Sequence, residues 1–426
     1  MPFQESSTPH ATGPSASSES MTPVREPSRL SRLLLFGALV AIGPLTIDMY
    51  LAAFPTIVSD LNTTESAVQL TLTATLIGLA LGQLTIGAIS DAVGRRIPLI
   101  TALSAFVLVS VSITAADSID SLIILRFLQG FTAAAGMVLS QAMVRDLYSG
   151  SVMATFISRL FLIVGVAPIL APSIGAQFLH FFEWHSIFWG LAIFGLVLVG
   201  LSLFMVKETL PTERRSAKGP KPVIASYGVL ARDRRYVGLV LTAATAMGAL
   251  FAYISSAPFI FQDLYGMSTQ EYALVFAAGA GSLTITSQIN GSLVKRYHPA
   301  NIMRIALPVG VVVAVALLIA SLLDLGVVST VIGVMAIMGV VGFIMPNSPV
   351  IALNDHARRA GAAAAVLGAS NFVFGAIIAP ISGAFGAASP VTMAGVMVGC
   401  LSASTFFYWT LARPKDIVAT MEWERA

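Results

Sequence analysis

Charged side chains are scarce in this sequence. Asp, Glu, Lys and Arg supply 11% of its 426 residues, where a soluble domain carries roughly 25%. A water-facing surface on a chain this long needs more charge than that, which excludes an ordinary soluble enzyme and a nucleic-acid binder. Disorder is excluded too, because disordered chains are charge-rich and apolar-poor, whereas 56% of these residues are hydrophobic. Cysteine is nearly absent. Cys400, the single one, allows no internal disulfide and no cysteine metal site; in its apolar run it reads as a small buried hydrophobe. The five histidines, His10, His180, His185, His298 and His356, all avoid the depths of the apolar runs, so no metal cluster within a membrane is expected. There is no Gly-x-x-x-x-Gly-Lys-Ser/Thr loop for a nucleotide and no Ser-His pair inside the runs. Neither cofactor nor metal nor enzymatic activity is expected.

What is present is length of apolar run. Twelve runs recur, at about 33–54, 66–90, 97–116, 120–144, 153–179, 185–206, 237–261, 270–293, 301–323, 326–349, 361–386 and 390–412, each long enough to cross a bilayer as a helix. A barrel would need alternating strands of about ten residues, and lipid tolerates no unpaired backbone. The sequence therefore predicts an all-α membrane protein with twelve transmembrane helices in two six-helix halves. The expected layout is a disordered tail over 1–30, a first half over 31–206, a central loop over 207–236, a second half over 237–412 and a tail over 413–426. The first apolar run begins only near Leu33, so no cleaved signal peptide is expected.

Basic residues mark alternate loops. They include Arg29 and Arg32, Arg95 and Arg96, Arg145, the cluster from Lys207 to Arg235, Lys295 and Arg296, Arg358 and Arg359, and Arg413. The intervening loops carry no Lys or Arg. That asymmetry predicts both termini and the central loop on the cytoplasmic side. Two six-helix halves with nested three-helix repeats place a binding site near the midplane.

Asp48 is the acid deepest in a run, and Arg126 the deepest base. Each costs about 2.5–3.5 kcal/mol on insertion scales, so both are functional candidates. Both fall in the outer half of the membrane, about two turns from its edge; the alternative is a structural ion pair locking the first and fourth helices. An acid whose exposure to water changes can gain and lose a proton near neutral pH, which makes Asp48 the candidate proton carrier and Arg126 its modulator. Arg159 lies near the cytoplasmic end of its run, where its side chain can snorkel. The fourth run has a polar and small-residue stripe, Arg126, Gln129, Gly130, Ala133, Met137, Ser140 and Gln141, suited to a cavity wall or a neighbouring helix. Tyr50, Gln129, Phe251, Tyr253, Asn347 and Asn371 are the candidate substrate contacts; for the polar ones the alternative is a helix–helix hydrogen bond. In the fifth run, Gly165, Pro168, Pro172 and Gly175 read either as a gating hinge or as a bent packing helix.

Several of these segments resemble known signatures. Gly87 to Arg96 resembles the second-loop signature of the major facilitator superfamily, and Leu125 to Gly130 its fourth-helix signature. Pro168 to Gly175 resembles the fifth-helix signature of its antiporters, with Ala171 and Ala176 where that pattern has glycine. Asp48 to Leu51, Phe251 to Ser255 with Pro258-Phe259, and Pro346 to Pro349 resemble the Bcr/CflA drug-resistance branch. The resemblance covers residues 33 to 412. It implies a cytoplasmic charge latch at Asp91, Gly94, Arg95 and Asp146, proton coupling through Arg126, and drug–proton antiport with Asp48 as carrier. It further implies the inner membrane of a bacterium, a small amphipathic drug and protons as partners beside the lipid bilayer, and a monomer. A proton symporter importing a small organic solute is the nearest alternative, and a channel a more distant one.

Overall fold

The computed structural model describes residues 29–215, 221–354, 356, 359–384 and 389–413. Residues 1–28 and 414–426 of the expected tails lie outside the described residues, as do 216–220 of the central loop. Twelve helices among the described residues are long and apolar enough to span a membrane. We number them α1 (Arg29–Asp60), α2 (Glu65–Val93), α3 (Arg96–Ile113), α4 (Ile119–Leu147), α5 (Gly150–Phe181), α6 (His185–Met205), α7 (Arg234–Leu264), α8 (Thr269–Leu293), α9 (Pro299–Leu322), α10 (Gly326–Asn354), α11 (Ala360–Ala384) and α12 (Pro390–Ala412). The central segment carries a further short helix, Lys221–Leu230, inside what the sequence predicts as loop.

Capping explains where several helices begin. Thr64, Ser118 and Ser268 each accept a hydrogen bond from a first-turn N–H, opening α2, α4 and α8. Such side chains satisfy donors that the helix cannot. Asp233 does the same for Arg235 and Tyr236, so α7 starts at Arg234, three residues before its apolar run. Helix α1 is not continuous. It is regular to Asp48, then passes through a tight turn at Leu51–Ala53 and resumes at Phe54–Asp60. Pro258 has a comparable effect in α7, where the last six residues widen into a π-type turn.

The helix pairings repeat with an offset of six. Contacts of α1 with α4 and α5, α2 with α4, and α3 with α4 and α6 recur as α7 with α10 and α11, α8 with α10, and α9 with α10 and α12. The two halves meet through α2 against α11 and α5 against α8, and these two contacts exchange under the same offset. A pseudo-symmetric pair of six-helix halves has this signature. The outward faces are apolar: Leu108, Ile124, Phe204, Leu274 and Val312 are all exposed, a surface suited to lipid and not to water.

Candidate functional site

Helix α1 carries the deepest charge, and its two sides have different surroundings. Thr46 and Tyr50, four residues apart, share one side. Arg126 of α4 comes to that side and is fully buried. Its Nη2 donates to the Thr46 carbonyl at 2.8 Å, and its Nη1 donates to Gln129 Oε1. The guanidinium carbon lies 3.8 Å from the centroid of the Tyr50 ring and 5.5 Å from that of Phe188. Gln129 donates onward to Ser110 Oγ at 2.8 Å, and the Tyr50 and Thr71 hydroxyls lie 3.2 Å apart. Dipoles and aromatic faces thus solvate the cation, both favourable for a planar guanidinium.

Asp48 sits two residues from both Thr46 and Tyr50, about 200° round the helix. The ion pair with Arg126 that the sequence allowed is not formed for this reason. Asp48 is 4% exposed, and no hydrogen bond or ion pair joins it to any described residue. Behind it, Gly175 of α5 meets the backbone of Met49; a side chain there would collide with the Met49 carbonyl carbon at 2.9 Å. Small residues let helices approach this closely.

The end of the bundle beyond Asp48 is sealed between the halves. Gln69 of α2 donates to the Ser255 carbonyl of α7 at 3.2 Å. Gln262 of α7 donates to the Ala52 carbonyl of α1 at 3.2 Å. The rings of Phe54 and Phe259 lie 5.7 Å apart. Further along, Thr73 donates to the Ala376 carbonyl and Thr284 to the Gly165 carbonyl. The breaks in α1 and α7 fall at this seal.

At the basic end, the structure brings together the four residues of the expected latch. Arg95 pairs with Asp91 at 2.6 Å and with Asp146 at 3.0 Å, and donates to Ser90 Oγ at 2.6 Å. Burial opposes the Arg95 charge, but the hydrogen bond to Asp146 and the charges of Asp91 and Asp146 outweigh it and raise its pKa above the ordinary value. Gly94 adopts φ +104°, which favours glycine. A Cβ there would also meet the Glu208 carboxyl carbon at 2.8 Å. Glu208 was not evident from sequence. It comes from the central segment and accepts from the N–H groups of Arg95 at 2.8 Å, Arg96 at 3.3 Å and Leu210 at 3.0 Å. Burial raises its pKa, but these three N–H donors and Arg215 outweigh it and hold the carboxyl below its usual range.

The six candidate substrate residues divide. Tyr50 and Gln129 are spent on Arg126. Asn347 is spent too: it donates to Asn290 Oδ1 at 2.8 Å and accepts from Asn290 Nδ2 at 3.3 Å, clamping α8 to α10. Phe251 lies against Gly375 of α11. Tyr253 keeps a buried hydroxyl, and Asn371 a buried carbonyl oxygen, without a hydrogen-bond partner. The hinge residues lie in a helix unbroken from Gly150 to Phe181. Gly165 and Gly175 serve there as contact points, to Thr284 and Met49. Tyr272 of α8, fully buried beside Tyr253, carries another unpartnered hydroxyl. Its only sequence signal is the Ser268–Glu271 capping box immediately before it.

A family model described as Major Facilitator Superfamily matches residues 34–382. The chain is 39% identical over 357 residues to the "Uncharacterized MFS-type transporter YdgK" of Bacillus subtilis, covering 83% of this chain and 89% of that protein. It is 30% identical over 379 residues to the "Bicyclomycin resistance protein homolog" of Haemophilus influenzae, covering 89% and 95%. It is 32% identical over 259 residues to the "Multidrug resistance protein MdtL" of Escherichia coli, covering 60% and 65%. Among solved structures, a D-xylose-proton symporter superposes with a TM-score of 0.71 at 15% identity, covering 91% of this chain and 99% of that one. A bacterial homologue of the lysosomal transporter Spinster gives 0.71 at 15%, covering 94% and 100%. At these identities the structural likeness concerns the fold alone.

Proposed function

The chain belongs to the major facilitator superfamily, a family of transporters and not enzymes, and from that premise we propose that it is a proton-coupled drug exporter working by alternating access. One observation carries this reading: a buried acid, Asp48, without a partner in its own half, at the seam where the halves close. A structural acid would be expected to hold a fixed base. One left unpaired can bind and release a proton as the surrounding water changes. The relatives named for bicyclomycin and multidrug resistance support drug efflux, and the reading takes a small amphipathic drug as substrate.

The proposed orientation puts the latch and both termini in the cytoplasm, in agreement with the basic loops. The seal beside Asp48 then closes the outer side, and the drug path opens inward. Phe251, Tyr253 and Asn371 line the reading's binding region, with aromatic surface for varied ligands. Inward movement of one proton releases about 2.3 kcal/mol per 100 mV, enough for a more than tenfold outward gradient. The chain acts as a monomer in this scheme, since the two halves enclose the path.

An efflux-deficient bacterial host carrying the protein should survive some antibiotics of a chemically varied panel better than the host alone. In proteoliposomes, the most protective compound should drive proton movement through the wild type. Asp48→Asn should insert to the same level and show none. Proton movement that persists in Asp48→Asn would sink the assignment.

A further inference from the structure

Three polar groups near the seam have no hydrogen-bond partner among the described residues. Asp48 is 4% exposed, Tyr253 1% and Tyr272 0%. Both hydroxyls are buried without a hydrogen-bond partner, and no hydrogen bond or ion pair joins Asp48 to a described residue. Tyr272 lies within electrostatic reach of both Tyr253 and Asp48. Its ring and that of Tyr253 are held by one neighbour, Phe276, at 6.1 and 5.4 Å between centroids. The turn Leu51–Ala53 packs on α8, which brings the end of α1 to the start of that helix.

The other titratable groups around Asp48 are occupied or turned away. On α1 itself, Tyr50 faces Arg126. From α4, Arg126 is committed to Thr46 and Gln129. From α5, Gly175 contributes only backbone contact. In the other half, Tyr272 and Tyr253 keep hydroxyls that are free to donate.

We propose that Tyr272 is the positioning residue of the proton site: its hydroxyl donates across the seam to ionised Asp48, and the Tyr253 hydroxyl behind it donates to Tyr272. The inference rests on Asp48 as proton carrier. A hydrogen bond to an ionised acceptor is roughly twice as strong as a neutral one, so ionisation tightens the seam and protonation loosens it. A carrier that has released its proton inward and holds no drug is thereby kept closed on the outer side. That blocks the empty return which would waste the proton gradient.

The test is the pH dependence of Asp48 reactivity. Dicyclohexylcarbodiimide attacks protonated carboxyl groups in apolar surroundings, and peptide mass spectrometry identifies the modified acid, with Asp48→Asn as the blank. In purified full-length protein, Tyr272→Phe should move the labelling midpoint of Asp48 upward by about 1–2 pH units, because the donor that favours the carboxylate is gone. Tyr253→Phe should move it the same way by less. If Tyr272→Phe is not monodisperse, Tyr253→Phe carries the test. A midpoint unchanged in the variants overturns the tyrosine contact while Asp48 still titrates. Wild-type labelling with no pH dependence overturns the proton-carrier reading, and this inference with it.

Discussion

Arg126 shows how a full charge is kept in the apolar part of a bundle without a counter-ion. It is surrounded by the Thr46 carbonyl, Gln129 and the face of Tyr50. Its hydrogen bonds end at a backbone carbonyl of α1 two residues before Asp48, so it fixes the direction in which Asp48 leaves the helix. Arg126→Ala should therefore destabilise the N-terminal half by about 2–4 kcal/mol, by leaving Gln129 and the Thr46 carbonyl unpaired. Thermal unfolding in detergent should show it, and Arg126→Lys should recover only part, because an ammonium lacks the planar fork. The sequence made Arg126 and Asp48 conspicuous, since charge at that depth is costly. It left open whether they pair, because depth along two helices says nothing of rotation about them. Asn347 has the same lesson: its polarity was legible, but its partner Asn290 lies 57 positions away.

Among the elements, the loop between α2 and α3 was the most legible. The Asp91–Arg95 spacing and Gly94 are local features, and the structure adds Asp146 from α4 to them. Glu208 was hidden because its role depends on the central segment folding back over 113 positions. Removing it in Glu208→Ala should free residues 207–215. With a net loss of about 1 kcal/mol for this partly exposed carboxylate, trypsin should cut at Arg214 and Arg215 roughly fivefold faster than in the wild type. The same docking should depend on acid. The folded pKa of Glu208 lies below its ordinary value, so the contribution is complete above the ordinary glutamate range of about 4.3 and is lost as pH falls through the depressed value. Helix α5 is the opposite case. Its two prolines read either as a gating hinge or as a bent packing helix; the helix runs through them unbroken and its glycines contact α1 and α8.

At the scale of the molecule, the seam beside Asp48 defines the state. Phe54→Cys with Phe259→Cys, in a Cys400→Ser background, should be joined by a short thiol-specific cross-linker. Transport of the most protective drug should then fall to background and return on reduction. Unimpeded transport by the cross-linked protein would show that the seam does not open in the cycle. The sequence by itself determined the class of protein and the twelve spans, and it singled out Asp48 and the Asp91–Arg95 loop, because lipid penalises charge residue by residue and that penalty can be read along one chain. Only the tertiary structure decided that Arg126 turns from Asp48, that Asn347 belongs to Asn290, and that Tyr272 and Tyr253 keep buried hydroxyls without a partner. Those outcomes depend on how each helix is rotated and which neighbours it meets, and they are set by packing between segments as far apart in the chain as α1 and α8.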